Sequence, residues 1–376
     1  MPITDRQKQV LDLYNKIGTV QGVAKELNVT RCTVRQTLKR AQRYQDADPG
    51  VQDAVDQTGL SMVSASHGWR RVQDPDTGSW NSVFWKNPDA TQDEAQSWAE
   101  VFREALVDAP SSLPVSAPDF VANDLLPRYI VADVHFGMLA WDRETGADYD
   151  MRIAANQLAD CMGTLLESTP TTERALILNL GDTIHNNDQS NATPASGHVL
   201  DVDSRFGKIV YEAVKAQVAQ VEAAKAKHRH VEVVVLGGNH DPDVSHMLAI
   251  ALMMRFEDDP RVTVHWHPAK LWAMQFGRNL LAAHHGDRTK PERLALQVAD
   301  DYAALWGQTF WRYLDTGHIH HDNGRDIGGI YWQSHRALTG RDAAAAGMGY
   351  TARRSMKAIT VHADRGEVLR NTAGIG

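Results

Sequence analysis

"VEVVVLGGNHD", residues 231–241, runs from a largely apolar stretch into a glycine pair, then an amide, an imidazole and a carboxylate in direct succession. An apolar run of this length, stopped by glycine, reads as a buried strand of a parallel sheet. Three coordinating side chains crowded at its end read as a site beyond the strand's carboxyl terminus. The same rhythm recurs along the chain. "RYIVAD" ends in Asp133-Val134-His135 and "ALILNL" in Gly181-Asp182. "NLLAAH" ends in His285-Gly286-Asp287, and "RYLDT" in Gly317-His318-Ile319-His320. Where strands are joined by helical crossovers, residues scattered this widely converge on one crevice. Glycine beside four of the clusters lets the backbone turn tightly and approach a small bound object.

Carboxylates, an amide oxygen and imidazoles in one set suit a pair of divalent ions, manganese first, with iron, zinc or nickel as alternatives. The scarcity of carboxylates argues against a magnesium or calcium cage. Two ions sharing a carboxylate clamp the attacking and leaving oxygens of a phosphoryl displacement and acidify a water between them. Any one fragment, a D-x-H or a G-D, is common by chance. Five in order, each behind a strand, are not.

In this order the clusters resemble the calcineurin-like metallophosphoesterase family, over about 250 residues, through D-x-H, G-D, G-N-H-[DE], a His before Gly, and G-H-x-H. The resemblance implies an α/β catalytic domain, a two-sheet β-sandwich flanked by helices. It also implies roles. Asp133, His135 and His320 would hold the first ion, Asp182 would bridge, and Asn239, His285 and His318 would hold the second. His240 would stand beside the substrate as acid or phosphate stabiliser. His284 is an alternative to His285 but has the opposite strand parity, and Asp241 is expected to orient His240. "GDTIHNND" adds His185 three residues after Asp182, an arrangement similar to the nuclease subunit of the double-strand-break repair complex, where this His assists the reaction. The stretch also resembles phosphoesterases encoded by bacteriophages. Arg205, Lys208, Arg288, Lys290, Arg293 and Arg336 are candidate phosphate contacts.

Charge separates the ends of the 376-residue chain, whose net charge is −8. Residues 1–45 hold nine Lys/Arg against three Asp/Glu, a balance of +6, and the remainder holds 30 against 44, or −14. A basic module on an acidic body is a footprint of a DNA-binding appendage. "ITDRQKQVLDLYNKIG" has Thr4 and Gln7 at capping-box spacing, an apolar face of Val10, Leu11, Leu13, Tyr14 and Ile17, and a stop at Gly18. "VQGVAKEL" and "RCTVRQTLKRAQ" follow as two more helices, with Thr30 as cap and Val34 and Leu38 pointing inward. Arg31, Arg35, Gln36, Lys39 and Arg40 then face outward, as a recognition helix requires. This small all-α unit resembles a helix-turn-helix domain.

Residues 46–120 connect it to a catalytic domain over 121–376. "HGWRRVQDPDTGSWNSVFWK" reads as a hairpin carrying Trp69, Trp80, Phe84 and Trp85, "TQDEAQSWAEVFREALVDA" as a helix, and "PSSLPVSAPD" as a linker. Two cysteines, Cys32 and Cys161, offer neither a disulfide framework nor a thiolate metal cluster. The sequence shows no membrane helix and no apolar signal stretch, so a cytoplasmic location is expected, that of the host for a phage-encoded chain. No P-loop is present, so an ATPase partner would be a separate chain. The expected function is a dinuclear metal-dependent phosphodiesterase acting on DNA, as exo- or endonuclease, with DNA and a second copy as partners. The alternatives are a phosphodiesterase for small or cyclic nucleotides, or a phosphatase with a regulatory DNA-binding head.

Overall fold

The computed structural model describes residues 5–46, 67–73, 80–86, 100–109 and 116–376. The chain divides into two compact units, residues 1–104 and 105–376. The first contains helices α1 (Asp5–Ile17), α2 (Val20–Glu26) and α3 (Arg31–Asp46). Gly18, at φ 76°, closes α1 by donating its N–H to the Tyr14 carbonyl. Thr19 caps α2 through the Gly22 N–H, and Thr30 caps α3 through the Thr33 N–H at 3.1 Å. Val10, Val23, Ala24, Val34 and Leu38 form the core, with Leu11, Leu13 and Tyr14 packed at its edge. Ile17 departs from the expected apolar face: it sits in the last turn of α1 and is 37% exposed. The expected cap Thr4 lies outside the described residues. The hairpin expected over residues 67–86 is present as antiparallel β1 (His67–Gln73) and β2 (Trp80–Lys86), with Gln73 opposite Trp80. Its turn and the side chains of Trp69, Trp80, Phe84 and Trp85 lie outside the described residues. Residues 100–108 are helical; the start of the expected helix and residues 110–115 of the linker also lie outside them.

The second unit is an α/β structure with two sheets. The larger runs in the order β13-β12-β3-β4-β5-β6, from β3 (Leu125–Val131), β4 (Arg174–Asn179), β5 (His230–Val235), β6 (Val262–His265), β12 (Arg354–His362) and β13 (Gly366–Ile375). Strands β3 to β6 are parallel, so their carboxyl ends lie on one edge. Helices Met151–Ser168, Phe206–Lys227 and Val244–Arg255 make the crossovers. The first is capped by Asp150, which accepts the Ile153 N–H at 2.6 Å. It buries Ala154, Leu158, Cys161, Met162 and Leu165 at helical spacing.

The smaller sheet runs β10-β11-β9-β8-β7, from β7 (Trp272–Phe276), β8 (Asn279–His284), β9 (Trp311–Thr316), β10 (Asn323–Ile327) and β11 (Ile330–Ser334). Here β8, β9 and β11 are parallel. All five strands expected from the motif rhythm form, divided between the two sheets. Those sheets share a core, in which Ile130, Leu178, Val234 and Ile359 of one meet Trp272 and Ala283 of the other. A buried ion pair also joins them: the Arg128 guanidinium of β3 binds the Asp315 carboxylate of β9, and His335 Nε2 lies 2.8 Å from the same carboxylate. Asp315→Ala would strand the guanidinium in the interior, and removing one partner of a buried pair costs about 3–5 kcal/mol. Denaturant unfolding should show that loss, with most of it recovered in Arg128→Met/Asp315→Leu; a loss below about 1 kcal/mol would contradict the account.

Candidate metal centre

The loops that follow β3 and β4 run side by side. His135 N–H donates to the Asp182 carbonyl at 3.0 Å and Phe136 N–H to the Thr183 carbonyl at 2.8 Å. Asn179, at the end of β4, braces this arrangement by accepting the Gly181 N–H and the Thr183 hydroxyl. From the smaller sheet come His285 after β8 and His318 and His320 after β9. Seven non-glycine described residues have positive φ, and five of them are Asp133, His135, Asp182, His318 and His320. Such conformations cost free energy and persist only where the surroundings enforce them. The backbone is bent to aim these side chains at one place.

Three groups result. One, His135, His185 and His240, holds imidazoles alone; in the other two, ligand atoms of Asp133, His135 and His320 lie within 4.8 Å of one another, as do those of Asp182, His285 and His318. Asp182 Oδ2 links the latter two, 3.2 Å from His285 Nε2 and 3.9 Å from His135 Nε2. Asn239 Oδ1 is 3.0 Å from His285 Nε2, which adds it to the group of Asp182. A Cβ on Gly238 would stand 1.9 Å from Asp182 Oδ1, and one on Gly317 would stand 2.6 Å from Asp133 Oδ2. Only glycine leaves room for either carboxylate.

Whether ions fit is answered by the unpaired atoms. His285 Nδ1 donates to the Leu180 carbonyl at 2.8 Å, so its Nε2 is the free nitrogen, facing two oxygen acceptors. His135 Nε2 is buried with no hydrogen-bond partner. A lone pair, a carboxylate and an amide oxygen converging in the interior are a donor set that a divalent cation would complete, in place of the proton on His285 Nε2. Mixed imidazole and oxygen donors suit manganese, iron or zinc, so the donor set fits the expected pair of ions.

Titration follows the same geometry. Burial, then His240, hold His135 far below the usual imidazole range, which leaves it neutral. Burial works against the ionised Asp182, yet His285 keeps its carboxyl well below the carboxylate range. Burial alone would lower His285, but the Asp182 carboxylate outweighs it and raises the ring to about 10.

His185 is buried, with Nδ1 3.1 Å from His135 Nδ1, and burial together with His240 pushes its pKa down to about 3. The His185 carbonyl lies 2.7 Å from His240 Nδ1, and the two rings stack at 5.2 Å. This contact corrects one expectation. Asp241 does not orient His240; its carboxylate accepts the N–H groups of Gly238, Asp182 and Ile184 at 2.9, 3.1 and 3.0 Å. It fastens the Asp182 loop to the Gly238 loop. His284 lies in none of these groups and accepts the Gly286 N–H instead.

The outer residues are less gathered. Arg205 and Lys290 are exposed residues preceding helices, Arg288 pairs with Asp287, and Arg336 with Asp322. Lys208 and Arg293 are also exposed. Arg31 and Arg35 are exposed on α3, Arg35 lying 4.0 Å from Glu104, while the side chains of Gln36, Lys39 and Arg40 lie outside the described residues. Sequence reasoning missed the brace from Asn179 and a clamp in which Leu338 and Thr339 donate to the Ala132 and Asp133 carbonyls. The asparagine had a signal, a polar residue inside an apolar strand; the clamp had none.

No protein-family model and no curated protein matches the sequence. Among solved structures, the chain is similar to a conserved uncharacterized protein of Streptococcus pneumoniae described as a predicted phosphoesterase. That match has 11% identity over 68% of this chain and 100% of the other, with a TM-score of 0.28. It is also similar to a dimetal phosphatase from Danio rerio, at 10% identity over 67% and 99%, TM-score 0.34. An archaeal phosphodiesterase matches at 9% identity over 66% and 99%, TM-score 0.34.

Without metal, His285 carries a proton at neutral pH, and an ion must displace it to reach Nε2. Metal uptake should therefore release protons, and affinity should rise as pH rises and competition falls. Calorimetry in buffers of different ionisation enthalpy reads this directly. Uptake without proton release would contradict the assignment of His285 as a ligand.

Proposed function

We propose that the chain is a metal-dependent phosphoester hydrolase, and specifically a phosphodiesterase that cuts DNA. The observation that carries the hydrolytic reading is Asp182 Oδ2, 3.2 Å from His285 Nε2 in one candidate ligand group and 3.9 Å from the unpartnered His135 Nε2 in the other. When bound, two divalent ions supply Lewis acidity and a water of lowered pKa.

The chain's own groups do the rest. Asp133, His135 and His320 hold one side of the centre, and Asn239, His285 and His318 the other, with Asp182 common to both. His240 acts on the substrate. Its Nδ1 donates to the His185 carbonyl, and this leaves Nε2 to exchange a proton with, or stabilise, a phosphoryl or leaving oxygen. His185 fixes that ring by stacking and, through Nδ1, holds the His135 ring. Arg205, Arg288, Lys290 and Arg336 are assigned to phosphate contacts farther out.

DNA as substrate is supported by the basic three-helix unit, where Arg31 and Arg35 project from α3 into solvent. Helices of this kind meet phosphates and base edges in the major groove. On this reading the head delivers DNA and the α/β unit cuts it. Manganese is the proposed ion.

Cleavage of end-labelled single- and double-stranded DNA with manganese tests the function, run beside Asp182→Asn, a cyclic dinucleotide and a phosphomonoester. Wild type should degrade DNA, and Asp182→Asn should lose at least about 100-fold in rate together with bound metal, because one carboxylate serves both ions. Intact DNA beside a hydrolysed cyclic dinucleotide would replace the nuclease with a small-nucleotide enzyme. Full activity and full metal content in Asp182→Asn would remove the two-metal centre.

The head is tested separately. Arg31→Ala/Arg35→Ala should weaken DNA binding and reduce the slope of log affinity against log salt by about one to two. Hydrolysis of a small chromogenic diester should not change. Unaltered DNA affinity would remove α3 from the interface.

A further inference from the structure

Two loops leave the candidate ligands, each carrying an exposed aromatic side chain, and are tied to each other through one arginine. The first departs from His135 and reaches Trp141 six residues later, with its side chain 57% exposed. The Arg143 guanidinium lies over the indole at 5.6 Å. The turn beneath them is closed: the N–H and the hydroxyl of Thr145 both donate to the Trp141 carbonyl at 2.9 Å, and Gly146 N–H donates to the Asp142 carbonyl at 2.7 Å.

The second loop starts at the clamp on Asp133, where Thr339 N–H donates to the Asp133 carbonyl at 3.0 Å. Two residues on, the Arg341 guanidinium donates to the Thr145 carbonyl at 2.6 Å and to the Tyr350 carbonyl at 2.9 Å. One side chain thus ties the Trp141 turn to the Tyr350 segment. Tyr350 and Met348 are 55% and 68% exposed.

Large rings held in water on a constrained backbone are prepared for a flat partner, because little motion is lost on contact. Charge narrows the partner further. Arg143 and Arg341 are outnumbered by Asp142, Glu144 and Asp148 on the first loop and Asp342 on the second. A surface with no excess of positive charge does not gather phosphates; what it offers a strand is an indole face beside a guanidinium, on which an uncharged base ring stacks. Six residues of extended chain span at most about 20 Å, so the surface stands a few nucleotides from the metal centre.

We propose that Trp141, with Arg143 over its face and Tyr350 on the loop tied to it, is a base-stacking platform for single-stranded nucleic acid adjoining the diester under attack. The inference rests on the DNA phosphodiesterase reading and adds how the strand is held.

The test compares KM for manganese-dependent cleavage of oligothymidylate and of an abasic oligomer of equal length, in wild type, Trp141→Ala and Trp141→Phe. Both substrates carry the same backbone charge and, as single strands, neither offers the head a major groove to read, so the head and the phosphate contacts meet only the shared backbone. Wild type should favour the base-bearing strand by about tenfold or more. Trp141→Ala should erase that preference by raising KM for oligothymidylate alone, and Trp141→Phe should restore most of it. An unchanged preference in Trp141→Ala overturns the platform, as does an equal rise for both substrates, which marks a structural role. If wild type cuts neither oligomer yet hydrolyses a small chromogenic diester, the DNA reading falls with it; if wild type cuts both with a preference independent of Trp141, the platform alone falls.

Discussion

One buried carboxylate organises the α/β unit. Asp182 Oδ2 faces both His285 and His135, at 3.2 and 3.9 Å, while Oδ1 accepts the His240 N–H at 2.8 Å. A charge in this position is tolerated only with counter-charge and hydrogen bonds around it. Its surroundings supply both. Gly238 has no Cβ because Oδ1 occupies that space, and Asp241 fixes the backbone on either side with three accepted N–H groups. Burial, and after it the neighbouring Asp182 carboxylate, raise the Asp241 carboxyl above its ordinary range.

The two sheets exist, in functional terms, to bring two strand edges against this residue. Neither sheet holds all of the candidate ligands: Asp133, His135, Asp182 and Asn239 follow β3, β4 and β5, while His285, His318 and His320 follow β8 and β9. The shared apolar core and the Arg128–Asp315 pair hold the edges in register. Rigid strands give the positions; left-handed residues just past their ends give the aim. Placing the strain in the loops leaves the strands themselves regular.

Much of this was legible in the sequence for a simple reason. Parallel strands buried on both faces write themselves as apolar runs, and the ligands follow at once, so "ALILNLGD" and "VEVVVLGGNHD" state both strand and site. The three helices of the head were legible through Thr30, Gly18 and the spacing of Val34 and Leu38. Elsewhere the information is non-local. Strand β12 depends on pairing with β3, more than 200 positions away, β13 then pairs with β12, and β10, with its pattern of exposed residues, carries no apolar signature. The role of Asp241 escaped for the same cause, since its partners are N–H groups some 60 positions upstream. Ile17 was misread because apolar spacing continued one turn past the core it served.

The central claim is that Asp182 joins two ions in one centre. Electron paramagnetic resonance of the manganese-loaded protein, with metal content determined on the same sample, addresses it without reference to any substrate. Two manganese ions bridged by a carboxylate should give an exchange-coupled spectrum at two ions per chain. An uncoupled mononuclear spectrum at a single ion per chain would contradict it.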